Sequence, residues 1–152
     1  FNISELAHDV VQKFNLTAEE RQITIQIDHD QQLPFANADI AMIERVIENL
    51  LDNAVRHTSP GGSIRLAFSA QNGDISVCVS DTGCGIPEED LPHIFDRFYH
   101  RDRTKESKTG YSGLGLAITK RILELHNKSI MVESKAGSGT TFTFFLPVHN
   151  PA

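Results

Sequence analysis

Tryptophan is absent from the 152 residues and cysteine nearly so, Cys78 and Cys84 being the only two. Their spacing matches no zinc or dithiol motif, and two thiols make no disulfide framework. Incidental thiols in a reducing, cytoplasmic setting are expected. Long hydrophobic runs are also missing. No apolar stretch approaches the ~18 residues needed to span a bilayer, and there is no signal-peptide pattern. The chain opens on Phe1 rather than Met, so it is expected to be a piece of a longer protein, with any membrane anchor outside it. A basic excess is lacking: 14 Lys and Arg stand against 20 Asp and Glu, a formal net charge of -6. That speaks against a chain that wraps nucleic acid through a basic surface. An acidic chain that holds an anion must instead gather positive groups locally. With no repeat and no low-complexity tract, the length predicts one domain over residues 1–152, large enough to bury a core.

What is present is clear hydrophobic periodicity. Ile3, Leu6, Ala7, Val10, Val11 and Phe14 are spaced as one face of a helix over about 3–14. Ile23, Ile25 and Ile27 alternate with polar neighbours and predict a strand. A long helical pattern runs from Asp39 to Thr58 and stops at Ser59-Pro60-Gly61-Gly62. Two strands, Ile64 to Phe68 and Ile75 to Val79, flank Asn72-Gly73, a hairpin dipeptide. A glycine-containing loop follows from Asp81 to Pro87. Residues 100–112 are polar and charged and read as a surface loop. A helix over about 113–126 and two strands, near Ile130–Glu133 and Thr141–Leu146, complete the chain. This order predicts an α+β fold, a two-layer α/β sandwich with one mixed sheet and its helices on one face.

The 39–58 helix looks two ways. At about 100° per residue, Ile43, Ile47, Leu50, Leu51 and Ala54 share one arc, the buried face. Asn49, Asn53, Arg56 and His57 share another. Asparagine is a poor helix former because its amide competes for backbone hydrogen bonds. Two of them one turn apart, with a cation beyond, fit either a solvated face or the wall of a polar site. In the second case an amide oxygen suits Mg²⁺, which bridges substrate phosphates, and Arg56 suits a phosphate oxygen.

No glycine is followed by lysine, so the GxxxxGK[ST] phosphate loop is absent, and Gly113-Leu-Gly115-Leu-Ala-Ile118 lacks the last glycine of a dinucleotide fingerprint. Three other clusters remain. Asp81-Thr-Gly83-Cys-Gly85-Ile86 directly follows a strand, and its carboxylate could accept from an exocyclic amine. Gly113-Leu114-Gly115-Leu116 opens a helix whose N–H groups could face a phosphate. Gly137-Ser-Gly139-Thr140 precedes the last strand. Each singly is compatible with an ordinary turn.

Taken in order with Asn49-Leu-Leu-Asp-Asn53-Ala-Val-Arg56-His57-Thr58, these clusters resemble the N, G1, G2 and G3 boxes of the catalytic and ATP-binding domain of sensor histidine kinases. Phe95-Asp-Arg97-Phe98-Tyr99 resembles the F box between G1 and G2. The resemblance covers nearly the whole chain and implies the Bergerat ATP-binding fold shared with gyrase B and mismatch-repair ATPases. It implies ATP and Mg²⁺ as ligands, with Asn53 the metal ligand and Asn49 its support one turn earlier. Asp81 would read adenine, with Gly83, Gly85 and Ile86 around the base and Thr140 in its floor. Arg56, His57, Phe98 and Tyr99 would touch the nucleotide. Gly113, Leu114, Gly115 and Leu116 would cradle the phosphates, and residues 100–112 would form the ATP lid, bringing Arg101, Arg103, Lys105 and Lys108. The F box departs from the family's frequent Phe-Tyr-Arg ending, since His100 stands at the arginine position. Arg97, Arg101 or Arg103 therefore remain open as the contact to the γ-phosphate, with Asn49, Arg97 and Arg101 the candidate catalytic set. In hydrolysing relatives a glutamate stands where this chain has Asn49, a neutral amide that cannot act as general base. The resemblance thus implies phosphoryl transfer to an imidazole rather than hydrolysis.

That imidazole is expected elsewhere. His8-Asp9-Val10 lacks the arginine and proline of a phospho-acceptor motif and lies in what resembles the domain's own first helix. The expected partners are an upstream dimerisation and phospho-acceptor domain and a response regulator receiver domain, with no nucleic acid. This piece itself would be monomeric and part of the cytoplasmic portion of a membrane-bound sensor. Two alternatives stand beside this reading: a serine kinase of the anti-sigma-factor type on the same fold, and a nucleotide-dependent interaction module without transfer activity.

Overall fold

The computed structural model describes residues 1–99 and 114–150. Helix α1 (Ile3–Glu20) starts where the Asn2 side chain accepts from the backbone N–H groups of Ser4 and Glu5, at 3.0 and 3.2 Å. It runs beyond the predicted end at Phe14 and closes on a Schellman turn. Gln22 takes a left-handed conformation at φ 56, and Ile23 N–H donates back to Ala18 C=O at 2.8 Å. Ile23 and Ala18 are both buried, which is the apolar contact such a cap carries. Ile23 therefore belongs to the cap, and strand β1 (Thr24–His29) begins one residue later than the alternation predicts.

Helix α2 (Ile40–His57) fills the predicted span, with Asp39 and Thr58 as its caps. The Asp39 carboxylate accepts from Met42 N–H at 3.0 Å, and Thr58 Oγ1 donates to the Ala54 carbonyl at 2.7 Å. Strands β2 (Ser63–Gln71) and β3 (Asp74–Asp81) form a hairpin. Asn72 and Gly73 both have positive φ, 51 and 84, the requirement of a two-residue type I′ turn. A short 3-10 turn (Leu91–His93) precedes the F-box residues. Helix α3 (Gly115–Leu125) and strands β4 (Ile130–Lys135) and β5 (Gly139–Pro147) follow.

The five strands make one mixed sheet in the order β1-β2-β3-β5-β4, with β1 and β2 parallel and the other pairs antiparallel. Alternation sorts the faces. Ile64, Leu66 and Phe68 of β2 and Phe142, Phe144 and Leu146 of β5 are buried, as are Ile75, Val77 and Val79 of β3. They meet Ile43, Ile47, Leu50, Leu51 and Ala54 of α2, and Ile3, Ala7 and Val10 of α1, in a single core. Each large side chain so buried contributes about 1.5–3 kcal/mol. The opposite face alternates in Arg65, Ala67, Cys78, Ser80, Thr141 and Thr143 and carries less apolar bulk. The result is the expected two-layer sandwich.

Candidate functional site

Strand register decides where the apolar core gives way to polar side chains. Across the helix-facing side, one row reads Ile27, Leu66, Val79, Phe142, Val132, all apolar. The next row toward the strand ends reads Ile25, Ile64, Asp81, Thr140, Ser134. Asp81 and Thr140 are direct cross-strand neighbours, and both are buried. Two residues far apart in sequence, each suspected from its glycine cluster, thus lie side by side.

The loop after β3 passes close to two other backbones. Asp81 Oδ1 accepts from Gly83 N–H at 2.8 Å, and Cys84 N–H donates to the carbonyl of His57, at the end of α2, at 3.2 Å. A Cβ on Gly83 would collide with that His57 carbonyl. One on Gly85, at φ 71, would collide with the Lys135 carbonyl at the end of β4. These glycines are therefore needed by the protein's own packing before any ligand is considered. Ile86 is buried, and its N–H donates to Ser134 Oγ at 2.7 Å.

Helix α2 supplies the other wall. Asn53 is 6% exposed, and among the described residues nothing hydrogen-bonds its amide. Among the described residues its polar atoms are not fully enclosed, unsatisfied ones, so the amide sits at the edge of the core, where a group from outside the chain can meet it. An amide oxygen fits the hard-oxygen preference of Mg²⁺. Asn49 is placed differently. Its Nδ2 donates to Gly115 C=O at 3.1 Å and to buried Thr119 Oγ1 at 3.4 Å, so it grips the first turn of α3. Arg56 pairs with Asp52 one turn back at 2.9 Å. His57 is half-buried and engaged through its carbonyl.

Glu48 is turned to α1, where its carboxylate accepts from Lys13 Nζ at 2.8 Å, beside Glu44 at 2.9 Å. Those two hydrogen bonds hold the Lys13 ammonium above its ordinary range. On the β1–β2 edge, the Arg65 guanidinium holds the Asp28 carboxyl below the usual carboxylate value.

The site residues thus fall into linked groups. Asp81, Gly83, Gly85, Ile86 and Thr140 are brought together at the sheet end, while Asn49 joins Gly115 at the start of α3, with Leu114 before it and buried Leu116 after it. From the F box, Phe95 packs edge-on against core Phe142 at 6.2 Å between ring centres, and Tyr99 is half-buried against the core. Phe98 is 67% exposed at φ 62 and Arg97 is exposed. No hydrogen bond among the described residues joins either to the groups above. Arg101, Gly113 and the remainder of the expected lid lie outside the described residues. Three polar side chains escaped the sequence reading: Ser134, Thr119, and Thr82, whose Oγ1 accepts from Ser63 N–H at 3.0 Å.

A family model described as histidine kinase-, DNA gyrase B-, and HSP90-like ATPase matches residues 38–150. The adaptive-response sensory kinase SasA of Crocosphaera subtropica is 38% identical over 150 residues, covering 97% of this chain and 38% of its own length. The chain spans well under half the length of the curated relatives it matches. The catalytic domain of histidine kinase ThkA superposes with a TM-score of 0.85 at 30% identity, covering 97% of this chain and 93% of that one. ThkA in complex with the response regulator protein TrrA gives 0.81 at 28% identity, over 98% of this chain and 41% of that one. Full-length ShkA in complex with AMPPNP gives 0.87 at 29%, covering 100% and 31%. The relatives carry sensor-kinase names, which favours neither the serine-kinase nor the interaction-module alternative. The chain belongs to the histidine kinase-, DNA gyrase B- and HSP90-like ATPase family, as an ATP-binding catalytic domain of the sensor histidine kinase type.

Proposed function

We propose that this chain binds Mg²⁺ and ATP between α2 and the polar end of the sheet and transfers the γ-phosphoryl group to a histidine on a separate dimerisation domain. The observation that carries the reading is Asn53, at the edge of the core with no hydrogen-bond partner for its amide among the described residues, on the helix that also bears Arg56. Mg²⁺, when bound, would supply neutralisation of phosphate charge. Asn53 would hold it through the amide oxygen, Arg56 would exchange Asp52 for a phosphate oxygen, and the N–H groups opening α3 would face the phosphates. Asp81 accepts from the exocyclic amine of adenine, with Thr140 beside it. Asn49 fixes the first turn of α3 and offers no base to a water molecule, so catalysis rests on positioning and charge neutralisation. Of the candidate arginines, Arg97 or one of those at 101 and 103 meets the γ-phosphate. The complexes of ShkA with AMPPNP and of ThkA with TrrA support a nucleotide and a response regulator as partners here.

Calorimetry with this chain should give ADP and ATP binding that depends on Mg²⁺, in the micromolar range, about -8 kcal/mol. A dimerisation domain added in trans should acquire an acid-labile, base-stable phosphohistidine, with none on His8. Absence of binding heat in a folded sample, or turnover by the chain alone on the order of 1 s⁻¹, refutes the proposal.

A further inference from the structure

Ser134 Oγ stands where three hydrogen bonds meet. Ile86 N–H donates to it at 2.7 Å, it donates to the Gly139 carbonyl at 3.0 Å, and Thr140 Oγ1 lies 2.8 Å away. Counting protons fixes the direction of the last contact. A serine hydroxyl has one proton, and a carbonyl can only accept, so the Ser134 proton belongs to Gly139. Two hydroxyl oxygens at 2.8 Å then require the proton of Thr140 between them. Thr140 Oγ1 is left with lone pairs alone for anything else it meets. Its cross-strand neighbour is Asp81, whose Oδ1 already accepts from Gly83 N–H and which, as a carboxylate, has no proton to give. Both groups are buried. As a carboxylate and a hydroxyl whose proton is committed, Asp81 and Thr140 therefore present acceptors at this end of the sheet.

We infer that Ser134 is a positioning residue that sets base specificity: by drawing in the Thr140 proton, it makes the pocket floor select a 6-amino purine over a 6-oxo purine. The inference rests on the nucleotide-site reading above. An exocyclic amine presents donors to such a floor, directly or through a water. A 6-oxo group presents an acceptor, and acceptor against acceptor is mispaired in a buried setting. Removal of Ser134 Oγ frees the Thr140 hydroxyl to turn its proton into the pocket, where it serves the 6-oxo group.

The test is calorimetry with Mg²⁺ and either ADP or inosine diphosphate, which differ at the purine 6-position and the adjoining ring nitrogen. Wild type prefers ADP. In Ser134→Ala that preference shrinks about tenfold, within the range for a mispaired buried polar group. Ser134→Thr, which keeps the hydroxyl, retains the preference. In a Thr140→Val background, Ser134→Ala changes the preference no further, since the proton it would release is gone. Ser134→Cys keeps the volume while weakening the acceptor. It moves the preference in the same direction and serves where the alanine variant does not fold. Equal weakening of both nucleotides by Ser134→Ala, or an effect that persists with Thr140→Val, overturns the inference. If wild type binds neither nucleotide, the site reading itself fails. If wild type prefers ADP and Ser134→Ala keeps that preference, only the inference falls.

Discussion

Asn53→Ala is expected to leave the stability of the nucleotide-free chain nearly unchanged while removing Mg²⁺-dependent nucleotide binding. Alanine exceeds asparagine in helix propensity by about 0.6 kcal/mol in an interior position such as this one. The Asn53 amide makes no hydrogen bond among the described residues and is not an enclosed, unsatisfied group, so its removal neither breaks a bond nor relieves a burial penalty. Against the propensity gain stands the packing lost by truncation, about 1 kcal/mol at the edge of the core. The two nearly cancel, and the melting temperature should move by about 2 °C or less for a domain of this size. Leu50, one turn earlier and fully buried, is the control, since Leu50→Ala should lose about 2–5 kcal/mol. Urea unfolding gives the stabilities and calorimetry with Mg²⁺ and ADP gives the binding. A loss for Asn53→Ala on the scale of Leu50→Ala would show that the amide is structural and would refute the reasoning.

Gly73→Ala and Gly85→Ala both place alanine at positive φ, 84 and 71, but only at Gly85 does the new Cβ meet backbone, that of Lys135. Gly73→Ala should lose about 1–2 kcal/mol and bind nucleotide normally, whereas Gly85→Ala should lose more and bind poorly; equal behaviour in urea and calorimetry would contradict this. Asp81→Asn keeps the Oδ1 that holds Gly83 N–H, so the loop should persist while ADP affinity falls by about 1–3 kcal/mol. In wild type, equal competition by GTP and ATP for a fluorescent nucleotide would disprove the role of Asp81. Asp28, held below its ordinary pKa of 3.8 by Arg65, contributes stability that is present above that value and lost as pH falls through its lower folded one. Arg65→Gln should flatten that part of the acid limb in urea midpoints measured against pH, with a smaller difference at high salt.

Helix α2 was the most legible element because its signals agree: apolar period, Asp39 at the start, Thr58 and a Pro-Gly run at the end. The end of α1 was not legible, because its left-handed cap is Gln22 rather than the glycine or asparagine that flags such a cap. The end of α3 uses the same geometry with Asn127, at φ 59, and was placed to within a residue. In the site, Asp81 and Thr140 stood out through their glycine clusters, but their adjacency depends on the pairing of β3 with β5, a long-range choice that local pattern does not encode. Ser134 and Thr119 were passed over for a related reason. A lone serine or threonine has no local signature, and its role arises from which backbone groups the fold brings within 3 Å or so of its hydroxyl.

The charges on α2 bear on the proposed preference for transfer over hydrolysis. The helix carries three carboxylates, Glu44, Glu48 and Asp52, and each is engaged by a cation: the first two by Lys13, the third by Arg56. Exposed pairs of this kind add little stability, but they fix direction, drawing Glu44 and Glu48 toward α1. Asn49 commits its amide protons to Gly115 and Thr119, and its remaining oxygen is too weak a base to deprotonate water. The same contacts join the helix that bears Asn53 to the first turn of the helix that opens with Leu114-Gly115-Leu116. Asn49 thus ties α2 to α3. On the proposed function it would stand where a hydrolytic base stands in other members, and the arrangement would favour holding a phosphoryl group in register for an incoming imidazole over activating a water.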